Sequence, residues 1–147
     1  MSVNTTTDTR YLNTIGYKRK NPGNLMVHSI PYSGKVVVKD KSGPVTFISM
    51  EKGLRALAMD IKMKSKTIFS ITDILTLYAP SSENNTAVYI KYVATKTGKG
   101  ATEKLVYNDA VYIALMQAII SMEIGFGTCP FTEEQLQTAV TAAKTSE

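Results

Sequence analysis

A chain of 147 residues, 44% hydrophobic and 20% charged, has the size and composition of one folded globular domain and not of a disordered or fibrous polymer. Its net charge of +5 suits a polyanionic partner, either a nucleic acid or an anionic cell-envelope polymer, without choosing between them. The single cysteine, Cys129, excludes an internal disulfide framework, and metal-ligand spacings are absent, so neither a metal nor a cofactor is expected.

Residues 1–9 are polar and threonine-rich and are expected to form a flexible arm, with 10–147 as one domain. No apolar run reaches the roughly 18 residues that a membrane crossing needs, and the N-terminus lacks the basic flank and apolar centre of a signal peptide. Arg10 to Ile15 allows a short helix or an extended piece. The stretch "YKRKNPGNL" then concentrates turn chemistry: Pro22 fixes one φ, Gly23 tolerates a positive one, and Asn21 and Asn24 can bond neighbouring backbone. The β-branched runs "GKVVVKD" and "PVTFIS", separated by "KSG", predict a β-hairpin from about Lys35 to Ile48.

From there the pattern is helical. Ser49 is placed to cap a helix to about Lys64, with Glu51 in its first turn and Leu54, Leu57, Ala58 and Ile61 as the buried stripe. Ser70 and Asp73 have capping-box spacing before "ILTLYA", which Pro80 ends. Tyr89 shares a helical face with Val88, Tyr92 and Val93, in a segment that stops at Gly98. Asn108 opens an apolar helix ending at Glu123, and the Thr132 and Gln135 spacing opens a last one to about Lys144. Cys129 reads as a small buried hydrophobe, and His28 has no partner motif that would give it a catalytic role.

Glu123 is locally misplaced. A carboxylate in the last turn of a helix faces the negative end of the macrodipole, at a cost of up to about 1 kcal/mol.

Four segments in order, "KRKNPGNL", the predicted hairpin, "EKGLRALAMDI" and "ITDILTLYAPSSENNTAVYIKYVATKTG", together with the terminal "SMEIG", resemble a family of bacteriophage virion-associated lysozyme-like proteins. Its members show an N-N-P-G-N-I loop, a G-I/L-R-A-L helix, a W-A-P-P-x-E-N-N-T segment and a closing H-E-N-G. The likeness runs from about Tyr17 to Ala142. It implies an α+β fold, a mainly helical lysozyme-like domain with one small β-hairpin. It also implies a virion location, other phage structural proteins as partners, and action at the bacterial cell envelope on peptidoglycan glycan strands during genome entry.

On that resemblance Glu123 is the candidate general acid, since an apolar helix end favours a carboxyl that stays protonated and can donate to a glycosidic oxygen. Glu83 and Glu51 are alternates; Glu83 also reads as a helix cap and Glu51 as a first-turn dipole partner. Asn21, Asn24, Asn84, Asn85 and Tyr89 are the candidate saccharide-binding residues, with turn and core roles as the competing reading. The chain departs from the family in having no tryptophan, Tyr78 standing where W-A-P-P has one, and in "MEIG" for H-E-N-G. A non-catalytic structural virion protein is therefore the alternative expectation. A DNA-associated virion protein is a third and weaker one, because no recognition-helix pattern or aromatic platform is visible.

Overall fold

The computed structural model describes residues 8–26, 28, 32–37, 39, 41–79 and 85–145. After a 3₁₀ turn at Arg10–Asn13 come six α-helices among the described residues: α1 (Ile15–Lys18), α2 (Met50–Lys64), α3 (Ile71–Tyr78), α4 (Thr86–Thr97), α5 (Asp109–Glu123) and α6 (Glu133–Lys144). The expected arm at residues 1–9 lies outside the described residues except for Asp8 and Thr9, and Pro80 lies outside them too.

The helix ends follow the capping chemistry of the sequence. Ser49 accepts from the Lys52 N–H at the start of α2, Ser70 from the Asp73 N–H at α3, and Asn108 from the Val111 N–H at α5. At α6 both halves of the capping box form, Thr132 Oγ1 accepting from the Gln135 N–H while Gln135 Oε1 accepts from the Thr132 N–H. Gly98 ends α4 with φ +70.

Helix α5 is the axis of the core. Every residue from Val111 to Ser121 is buried, so the helix has no solvent face, and α2, α3, α4 and α6 pack around it. Its polar side chains are satisfied internally: Gln117 Oε1 accepts from Tyr92 Oη and Lys96 Nζ, both at 2.8 Å, and Ser121 donates to the Gln117 carbonyl. A second, smaller cluster of Leu25, Tyr32, Val45, Phe47 and Ala56 sits on the far side of α2. Asp60, buried at the seam, accepts hydrogen bonds from Tyr32 Oη and Tyr78 Oη and pairs with Lys64. Burial first, then the Asp60 charge, pushes both phenols well above their ordinary value.

The fold is helical, which corrects the α+β expectation: no strand forms among the described residues, and the predicted hairpin is reduced to an isolated antiparallel bridge between Lys35 and Phe47. That bridge is closed by Val36 N–H to Thr46 C=O and Ile48 N–H to Gly34 C=O, both 2.8 Å. On the opposite edge of this segment, Val45 N–H donates to the Leu25 carbonyl and Phe47 N–H to the Arg19 carbonyl, while Arg19 Nη1 donates to the Ser42 and Pro44 carbonyls. Loop 19–25 thus lies along the outer edge of residues 45–47, where a further strand would otherwise pair. Val37, 96% exposed, has no sheet face to pack on, and β propensity without such a face has little force.

Loop 19–25 also explains the glycine in "EKGLRAL". A Cβ at Gly53 would lie 1.8 Å from the Lys20 carbonyl oxygen, so α2 can cross the loop only where it has no side chain. Arg55, two residues on, donates to Ser33 Oγ.

Candidate functional site

Helix α5 delivers Glu123 at its last residue, and the chain then makes a tight turn. Gly125 N–H donates to the Ile120 carbonyl and Gly127 N–H to the Ser121 carbonyl, closing the helix end. A Cβ on Gly125 would stand 1.7 Å from the Thr128 carbonyl oxygen, so the turn demands glycine there. Between the two glycines Phe126 adopts φ +54 and is 52% exposed.

The Glu123 side chain is half-buried, and its Oε2 accepts a hydrogen bond of 3.3 Å from Asn24 Nδ2. Asn24 has φ +54, a conformation asparagine tolerates better than most residues, and that backbone geometry belongs to the Pro-Gly turn of loop 19–25. Glu123 lines a cleft of about 280 Å³ together with Asn85, Tyr89, Arg10 and Phe126. Asn85 is the exposed N-cap position of α4, whose side chain makes no capping bond; Tyr89 lies one turn further along and is largely buried.

Four of the sequence-predicted residues therefore meet here: Glu123, Asn24, Asn85 and Tyr89. Asn21 does not. It is fully buried, with Nδ2 donating to the Leu25 and Val45 carbonyls at 2.9 and 2.8 Å and Oδ1 accepting from the Leu25 N–H, so it pins the loop. Glu51 stands exposed in the first turn of α2 against α6 and does not line this cleft. Glu83 and Asn84 lie outside the described residues. Tyr78, at the position of a family tryptophan, is committed to Asp60.

Sequence reasoning missed Arg10 and Phe126. Arg10 donates to Asp8 through Nε and Nη2, with Nη2 at 2.7 Å, and its guanidinium carbon stacks 4.3 Å from the Phe126 ring centroid. The Arg10 side-chain bonds, with its backbone N–H adding to them, hold the Asp8 carboxyl below its ordinary range. The signal for Phe126 was present in "IGFGT": an aromatic between two glycines is an aromatic on a sharp turn.

Glu123 is the one carboxylate on the cleft wall among the described residues. Two-carboxylate glycoside hydrolysis needs a second at about 5–10 Å. The arrangement suits either single-carboxylate proton transfer, with an alcohol of the substrate itself as nucleophile, or binding without chemistry. Among the described residues no group of three or more His, Cys, Asp or Glu side chains could hold a metal, and no helix is long and apolar enough to cross a membrane. Cys129 is buried as expected, and burial pushes its thiol up to about 11.

The molecule is thus a helical domain with a small polar cleft at the end of its central helix. No family model matches the chain. Over 68 residues, 46% of its length, the chain is 41% identical to Protein P5 of Pseudoalteromonas phage PM2. The matched stretch spans 40% of that phage protein.

Proposed function

We propose that this chain is a structural component of a bacteriophage particle, making contacts with other phage structural proteins. The observation that carries this reading is the likeness to a phage protein at 41% identity. The domain itself is compatible with such a role: among the described residues no buried side-chain nitrogen or oxygen lacks a hydrogen-bond partner, as in a rigid, settled core. Deleting the gene from a phage that encodes the chain tests it. The expected result is particles that are incomplete or fewer in number; an unchanged yield of complete particles would contradict the reading.

A second reading is favoured by the meeting of Asn24, Asn85 and Tyr89 at Glu123. In it the particle-borne domain binds peptidoglycan glycan strands in the cleft and Glu123 donates a proton to the glycosidic oxygen as the wall is opened locally for genome entry. This is also what the resemblance to virion-associated lysozyme-like proteins implies, without the β-hairpin first expected of it. Acid catalysis of this kind contributes about 10²- to 10⁴-fold in rate. The test is release of soluble muropeptides from purified peptidoglycan by the wild type and by Glu123→Gln. Anhydromuramic ends produced by the wild type alone would support it, and no release by either protein, both folded, would leave the structural role alone.

A further inference from the structure

Among the described residues three that are not glycine have positive φ, namely Lys20, Asn24 and Phe126. Two of them belong to one place: Asn24 bonds Glu123 and Phe126 lines its cleft. For a bulky residue such a backbone is strained, and it persists only when the surrounding turn enforces it. Here the turn from Ile124 to Thr128 is over-determined by the Gly125, Gly127 and Thr128 hydrogen bonds, and its product is a phenyl ring held 52% exposed at the cleft rim. A ring half exposed at the cleft rim contributes less to the core than a buried one, so core packing does not by itself account for the strain.

We propose that Phe126 is the stacking surface on which the cleft takes the apolar face of a pyranose ring, with Arg10 as its positioning residue. The inference rests on the reading of the cleft as a glycan site and adds the residues that grip the sugar. Arg10 lies over the ring at 4.3 Å and is paired with Asp8, so one face of Phe126 is covered. Arg10 and Phe126 both line the cleft, so a ligand there meets the exposed part of the ring beside the guanidinium. A pyranose has an apolar C–H face and a rim of hydroxyls, which matches a ring beside the planar polar groups of Glu123 and Asn85. The volume of about 280 Å³ accommodates one sugar ring. In a chain without tryptophan, Phe126 supplies the aromatic surface.

Calorimetric titration of a tetrasaccharide of alternating N-acetylglucosamine and N-acetylmuramic acid into the full chain tests this, alongside thermal melts of each variant. Phe126→Ala should bind about tenfold more weakly and Phe126→Trp at least as tightly as the wild type. Phe126→Gly, which suits the positive φ, should lose binding equally while melting no lower than Phe126→Ala. Arg10→Ala should lose about two- to fivefold, and Arg10→Lys, which keeps a cation over the ring, should recover most of it. Wild-type binding that Phe126→Ala leaves unchanged would overturn the stacking role and spare the glycan reading. Absence of wild-type binding would overturn both.

Discussion

Asn21 and Asn24 flank the same Pro-Gly pair, yet one is sealed in the core and the other reaches Glu123, 99 residues further along the chain. Nothing in the spacing distinguishes two amides in one turn; the choice is made by which long-range partners arrive, the Val45 carbonyl for Asn21 and the Glu123 carboxylate for Asn24. Because Asn21→Ala strips three hydrogen bonds and leaves buried backbone groups unpaired, it should cost about 2–4 kcal/mol in urea unfolding. A cost within the scatter of surface substitutions would refute the pinning role. Glu123 itself was legible because a charge ending an apolar helix is conspicuous, whereas Arg10, outside any motif, became part of the site only through the folding of the N-terminal segment onto the cleft.

The helices were legible and the hairpin was not, for a physical reason that the elements themselves show. Caps are local: Ser49, Ser70, Asn108 and Thr132 each bond a backbone N–H three residues on, so a short window contains the whole interaction. Strand formation depends on a face to pack on, which Val37 lacks, and the outer-edge donors of Val45 and Phe47 go to loop 19–25 instead of to a further strand. The same loop reverses an expectation of helix propensity. Gly53→Ala ought to strengthen an isolated helix by about 1 kcal/mol, yet with the Lys20 carbonyl 1.8 Å from the new Cβ it should instead lower the melting temperature clearly. A raised melting temperature would show that loop and helix are not in contact. At α6, Thr132→Ala should cost about 1 kcal/mol, read as a shift in the denaturation midpoint.

In the whole molecule, loop 19–25 joins the second cluster, α2 and the end of α5, so the cleft is assembled only when distant parts of the chain have docked. The pH dependence of stability should carry the mark of the buried acids. The Cys129 thiol rises from 9.0 to about 11 and the Tyr107 phenol from 10.0 to about 12, both chiefly through burial, and burial raises Tyr32 and Tyr78 as well. Each of these groups is neutral when protonated, and folding favours that form. Their contribution is complete below the unfolded values and is lost as pH climbs from about 9 through 12, so urea midpoints should fall across that range. Midpoints flat to pH 11 would place these side chains in water. Cys129→Ala should flatten the first part of the decline.

The central claim, that this domain is part of a phage particle, is tested most directly by quantitative mass spectrometry of gradient-purified particles from wild-type phage and from phage carrying Glu123→Gln. The chain should be present in both at the same fixed copy number relative to the major capsid protein, since assembly depends on the fold and not on the carboxylate. Its absence from purified wild-type particles would rule out a place in the particle.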